Sequence, residues 1–136
     1  STAGLLTRVS SEELVSQFTS ESLTKEHLFS LAKEFNETVK DGTYISKGWT
    51  KNAYGTSKLF INTYTRLLAK EEMVIAKKIQ AYVCCPGWVK TDMGGPNAYR
   101  ELHEGAITPM YLIDLPFEVN PEFQGKFFSD KMVRSL

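Results

Sequence analysis

Apolar residues recur with the period of an α-helix through the first half of the chain. The clearest stripe follows the spacing i, i+3, i+4, i+7 and i+11 and consists of Leu28, Leu31, Ala32, Phe35 and Val39. Charged side chains separate these positions, as is typical of a helix with one solvated face. The pattern predicts a helix that begins near Thr24 and ends at Asp41-Gly42, where glycine suits the position after the last turn.

Three further segments have a helical pattern. Ser10-x-x-Glu13 matches a capping box and predicts a helix that starts there. Residues 53–73 contain no proline and place apolar side chains on one face, so they predict a long helix. Residues 105–115 predict another helix, which Pro116 ends.

Two short apolar segments are typical of buried strands, namely Ile79–Cys85, before Pro86-Gly87, and Gly125–Phe128. Strands separated by helices predict an α/β fold with a parallel sheet. A two-stranded parallel sheet cannot bury both of its faces beneath four helices. The pattern therefore predicts that part of the sheet lies outside this chain, which has no initiator Met and starts either after processing or within a longer protein.

Composition excludes several classes of function. The 136 residues are 42% hydrophobic and 24% charged, as in a soluble folded domain. Lys+Arg and Asp+Glu are both 16, so no basic excess indicates a nucleic-acid partner. No apolar run reaches the roughly 18 residues of a membrane span, and the N-terminus lacks a secretory signal pattern. His27 and His103 have no companion ligands at metal-binding spacing.

The two cysteines, Cys84 and Cys85, are adjacent and are poorly placed to bridge each other. Free thiols indicate a reducing compartment, which predicts a cytoplasmic protein.

Tyr54 and Lys58 form the first candidate for chemistry. A spacing of four on a helix brings both side chains to one face, with Cβ atoms about 5–6 Å apart. A phenol is a poor acid at neutral pH, and a nearby ammonium lowers its pKa. Such a pair suits a general acid that protonates a developing alkoxide. The alternative is a surface tyrosine beside a lysine on a solvated helix.

The second candidate is the segment Cys84–Met93, where an apolar strand runs into Pro86-Gly87 and then into Thr91-Asp92. Ligands of open α/β sheets bind outside the carboxyl ends of the strands. Proline stiffens this exit, and glycine allows the backbone to approach a ligand closely. The alternative is an ordinary tight turn after a strand.

Together, Tyr54-x-x-x-Lys58 and the Cys-Cys-Pro-Gly-Trp-Val-x-Thr-Asp-Met segment resemble the short-chain dehydrogenase/reductase family, closest to its carbonyl reductase branch. The resemblance covers all 136 residues, with residues 10–49 as the helical insertion of that branch. The family's Gly-rich dinucleotide turn and its Asn-Asn-Ala-Gly segment are absent. The resemblance therefore implies the C-terminal half of a doubly wound, Rossmann-like α/β domain, without its N-terminal nucleotide-binding half.

The resemblance also implies roles for individual residues. The catalytic residues are Tyr54 as the proton donor, Lys58 as its partner, and Ser1, whose Ser-x-x-Gly context matches the family's catalytic serine. The cofactor-binding residues are Tyr54, Lys58, Pro86, Gly87, Val89 and Thr91. The substrate-binding residues are Ala53, Cys85 and Trp88. No residue is expected to bind a metal.

The implied activity is hydride transfer from NADPH to a ketone, aldehyde or quinone, by a protein that is a monomer when complete. The substrate would be a small molecule, with no nucleic acid or membrane as partner. One alternative is a non-catalytic fragment that cannot bind the cofactor alone. Another is a thiol-based redox protein that uses Cys84 and Cys85, although a strand position disfavours a reactive thiol.

Overall fold

A computed structural model describes residues 2–116 and 118–135. Short 3₁₀ turns at Thr2–Gly4 and Leu6–Arg8 precede the first helix. The helices are α1 (Glu12–Thr19), α2 (Lys25–Lys40), α3 (Ala53–Leu68), α4 (Glu72–Ala76) and α5 (Leu102–Ile113). The strands are β1 (Val83–Cys85), β2 (Phe127–Ser129) and β3 (Met132–Arg134). Of the described helices, none is long and apolar enough to cross a bilayer.

The first two helices begin at polar caps. Thr24 caps α2 by accepting a hydrogen bond from the His27 amide at 3.2 Å, and Gly42 follows its end with φ of +75°, so both predicted ends of this helix are confirmed. The predicted capping box at Ser10 is wrong by one residue. Ser11 is the cap of α1, and its hydroxyl accepts from the Leu14 amide at 3.2 Å.

The single helix predicted over residues 53–73 is interrupted in the structure. After α3, the amides of Lys70 and Glu71 bond to carbonyls only three residues back, at 3.0 and 3.1 Å. Glu71 then adopts an extended conformation and precedes α4. Ala69 is buried at this corner, so packing at the end of α3 overrides the helical pattern of the sequence.

The sheet has the order β1-β2-β3. The parallel pairing of β1 and β2 confirms the predicted parallel sheet, although both strands are shorter than predicted. The third strand was not predicted. It pairs antiparallel with β2 through a two-residue turn at Asp130-Lys131, where both φ angles are positive as in a type I′ hairpin.

The main core lies between α3 and the helices that precede it. Phe18 and Trp49 are buried there and meet edge to face, with ring centroids 6.2 Å apart. Phe60 of α3 lies 5.4 Å from Phe18. A second, smaller core joins Val83 to Phe127 beneath the sheet. Through the main core, the segment preceding α3 fixes that helix in place.

The N-terminal turn crosses α3 at close range. A Cβ added to Gly4 would stand 2.5 Å from the Leu59 backbone nitrogen, and one added to Gly55 would stand 2.8 Å from the Ala3 carbonyl oxygen. The buried Asn62 side chain donates a hydrogen bond to the Gly4 carbonyl at 3.1 Å. This crossing positions Thr2 beside the start of α3.

Candidate active site

The Tyr54–Lys58 pair lies in the first turns of α3. Asn52 caps this helix by accepting from the Gly55 amide at 2.6 Å, so the orientation of Tyr54 is set at a defined helix end. The Lys58 Nζ lies 5.4 Å from the centroid of the Tyr54 ring, within the range of a cation–π contact. The predicted placement of both side chains on one face is confirmed. Tyr54 is 54% exposed, so a ligand can reach its phenol.

A cleft of about 1080 Å³ opens beside Tyr54 at the carboxyl ends of β1 and β2. Its lining includes seven of the residues predicted for the site, which are Tyr54, Cys85, Pro86, Gly87, Trp88, Val89 and Thr91. Tyr54 and the loop after β1, which are distant in the sequence, thus share one concave surface.

The loop after β1 holds its shape through short-range hydrogen bonds. The Trp88 indole N–H donates to the Gly94 carbonyl at 2.7 Å, and the Thr91 hydroxyl accepts from the Gly94 amide at 3.0 Å. Val89 pairs with Arg100 in an isolated bridge. A Cβ on Gly105 would stand 2.5 Å from a Val89 methyl, so glycine lets α5 pack directly against the loop.

Gly87 needs to be glycine on two counts. Its φ is +84°, which L side chains rarely adopt, and a Cβ there would stand 2.5 Å from the Arg100 side chain. Glycine at this strand exit therefore allows both the backbone conformation and the packing of Arg100. Cys85 lies just before them, 4% exposed, and its Sγ accepts from the Gly87 amide at 3.4 Å.

Among the described residues, two of those predicted do not line the cleft. Lys58 lies against the Tyr54 ring, and Ala53 is exposed at the start of α3. Ser1 lies outside the described residues. Its neighbour Thr2 is part of the cleft lining.

Known proteins were compared with this chain. No protein-family model matches it. It is 43% identical over 125 residues to carbonyl reductase [NADPH] 1 of Oryctolagus cuniculus and 41% identical over 125 residues to that of Homo sapiens. Each alignment covers 90% of this chain and 45% of the relative, so the chain spans about half the length of these relatives. Salutaridine reductase from Papaver somniferum has a similar structure, with a TM-score of 0.79 and 30% identity over 96% of this chain and 42% of that protein.

Over the part that it covers, this chain is similar to carbonyl reductases and to a plant reductase of the same fold. Both comparisons agree with the resemblance carried by the Tyr54 and Pro86-Gly87 motifs. The predicted fold class, one part of a doubly wound α/β reductase domain, is confirmed by the structural match and by the half-length coverage.

Several cleft residues of this chain were not predicted, among them Thr2, Tyr99, Arg100, Ser129 and Asp130. Ser129 is the last residue of β2 and Asp130 follows it, so the rule that ligands bind beyond the carboxyl ends of parallel strands would have found them. Tyr99 and Arg100 lie in a loop with no such signal. Tyr99 meets Trp88 edge to face at 6.3 Å, which extends the aromatic wall of the cleft.

Arg100 is a cation in this cleft, and Asp130 is its partner. The guanidinium lies 2.7 Å from Asp130 Oδ1. Hydrogen bonds from Arg100 and then from Ser129 hold the pKa of the Asp130 carboxyl below its ordinary value of 3.8. Because the folded-state pKa is lowered, the pair is intact at neutral pH and is lost only as the pH falls through that lowered value.

The burial of the two thiols disfavours redox chemistry. Burial raises the pKa of the half-buried Cys84 thiol, so less thiolate forms at neutral pH than in an exposed cysteine. We expect iodoacetamide to label Cys84 and Cys85 in the native protein at pH 7 at least about tenfold more slowly than in the protein unfolded in urea.

Mass spectrometry of timed aliquots measures this labelling directly. Raising the pH should accelerate labelling of native Cys84 as the thiolate fraction grows. Labelling of the native protein as fast as that of the unfolded chain would instead support the alternative of a thiol-based redox protein.

Proposed function

We propose that this chain forms part of an oxidoreductase that reduces a carbonyl group with a hydride from NADPH. The observation that supports the proposal most strongly is the position of Tyr54, which lies against Lys58 and lines the same cleft as the residues after β1. The names of the carbonyl reductase relatives, which specify NADPH, support this cofactor.

Tyr54 would donate a proton to the substrate oxygen while the carbonyl carbon accepts the hydride, giving an alcohol. The Lys58 ammonium, placed over the ring, would stabilise the phenolate that remains. Its second role would be to hydrogen-bond the ribose next to the nicotinamide. Ser1 would orient and polarise the carbonyl.

The residues after β1 fit the nicotinamide end of the cofactor. Gly87 lines the cleft directly after β1, and Thr91 offers a hydroxyl beside the exposed edge of the loop. Pro86, Gly87, Val89 and Thr91 would hold the nicotinamide and its phosphates. NADPH, when bound, supplies the hydride. The cleft volume of about 1080 Å³ leaves room for a substrate beside the nicotinamide.

The aromatic wall indicates an apolar or planar carbonyl substrate. Trp88 and Tyr99 line the cleft together, and the hydrogen bond to Gly94 fixes the indole. Such a surface suits a ketone, aldehyde or quinone with an aromatic body. Trp88, Cys85 and Ala53 would form the substrate pocket.

We further propose that the complete protein is monomeric and cytoplasmic.

A second proposal is that this polypeptide alone is a fragment without catalytic activity. The described cleft contains no Gly-rich phosphate-binding turn, and the sequence holds none. The two proposals predict different behaviour for the isolated 136-residue polypeptide. For a complete protein that contains these residues, called the natural protein below, both predict reductase activity.

An NADPH oxidation assay separates these proposals. We expect the natural protein to consume NADPH only in the presence of a carbonyl such as menadione, with one alcohol or hydroquinone formed per NADPH. The isolated 136 residues should bind NADPH weakly, without saturation at micromolar concentrations. Saturable binding with turnover by the isolated polypeptide contradicts the fragment proposal, and carbonyl-independent NADPH loss by the natural protein contradicts the reductase proposal.

A further inference from the structure

Arg100 connects the exits of both parallel strands. Its guanidinium donates a hydrogen bond to the Pro86 carbonyl, directly after β1, at 3.3 Å. It also donates to Asp130, directly after β2, at 2.7 Å. The same side chain packs against Gly87 where a Cβ would otherwise stand. One residue from the loop before α5 thus contacts both strand ends at the edge of the cleft.

The backbone of Arg100 also holds the Pro86–Thr91 loop, through two hydrogen bonds. Its amide donates to the Trp88 carbonyl at 3.1 Å, and its carbonyl accepts from the Lys90 amide at 2.8 Å. Asp130 is itself held, because Ser129 donates to its second carboxylate oxygen at 3.1 Å and the hairpin turn fixes its backbone. The Pro86–Thr91 loop is therefore tied to β2 through Arg100.

We propose that Arg100 is a positioning residue that sets the conformation of the Pro86–Thr91 loop and thereby the affinity of the cleft for the nicotinamide end of the cofactor. The inference rests on the proposed reductase function. Arginine suits this position because its planar fork donates to two acceptors on different strands at once, whereas lysine presents a single point charge.

The contribution of Arg100 is geometric more than energetic. The Arg100 and Asp130 side chains are 24% and 45% exposed, so solvent screens their ion pair and little stability depends on it. A change of the loop at Pro86 and Gly87 alters the surface that the nicotinamide contacts, without removing any group that takes part in the chemistry.

Replacing Arg100 by methionine in the natural protein tests this role. We expect Arg100→Met to raise the KM for NADPH on the order of tenfold, and to change kcat at saturating NADPH less than about threefold. Arg100→Lys, which keeps the charge and loses the fork, should fall between the parent and Arg100→Met. Lys126→Met, which removes a cation at the other end of β2, should leave the KM unchanged.

Amide hydrogen exchange without cofactor provides a readout independent of activity. The peptide spanning residues 86–94 should exchange faster in Arg100→Met, and its rate should be unchanged in Lys126→Met. Parental exchange together with parental KM in Arg100→Met overturns the inference. Failure of the unmodified protein to bind NADPH refutes the proposed function and the cofactor part of this inference, whereas the exchange experiment still decides whether Arg100 positions the loop.

Discussion

Tyr54→Phe should lower kcat for carbonyl reduction by about 10²- to 10⁴-fold, the usual contribution of a general acid. The substitution removes one hydroxyl from a ring that is already 54% exposed, so the fold and the cation–π contact with Lys58 should survive. The KM for NADPH should change little, because the Pro86–Thr91 loop is untouched. Steady-state kinetics with the natural protein and a saturating quinone measure both constants.

A second tyrosine on the same helix provides the control. Tyr64 lies on α3, where it packs against Phe29 and away from the cleft, so Tyr64→Phe should keep the parental kcat. Lys58→Met should also reduce kcat, since it leaves the Tyr54 phenolate without the ammonium that lies over its ring. Parental turnover by Tyr54→Phe would remove the chemical role of the phenol and, with it, the reductase mechanism proposed for this cleft.

The part of the site that could be predicted rests on two general rules. Helical spacing brings Lys58 to Tyr54, and the strand-exit rule brings Pro86-Gly87 to a ligand cleft. Arg100 could not be predicted, because its contacts with Pro86 and Asp130 depend on how a loop folds back across 14 and 30 residues of sequence. No local pattern encodes such a contact.

The fold likewise has parts that could be predicted from local sequence and parts that could not. The ends of α2 were predictable because Thr24 and Gly42 act through bonds and angles within a few residues. The strand β3 was not, because Met132, Val133 and Arg134 are all exposed and show no alternation of buried and solvated positions. Its pairing depends on the Asp130-Lys131 turn, which contains no glycine that would indicate a hairpin in the sequence.

Phe18→Ala should cost about 3–5 kcal/mol of the free energy of unfolding, the range for truncating a buried aromatic side chain. Phe18 is 0% exposed, and its ring contacts both Trp49 and Phe60. Its backbone carbonyl accepts a hydrogen bond from Arg66 of α3, a contact that the substitution keeps. The expected loss therefore reports the packing of α1 against α3. Urea denaturation of the natural protein, followed by tryptophan fluorescence, measures it.

Phe29→Ala is the matched control. Phe29 is 56% exposed on α2, so the same truncation leaves no closed cavity and should cost no more than about 1 kcal/mol. Equal losses for the two variants would show that the aromatic core does not hold α3. The difference matters for catalysis, because the helix that this core fixes is the one that carries Tyr54 and Lys58 to the cleft. The packing of α1, although distant from the chemistry, would therefore determine how stably the Tyr54 phenol is held in position.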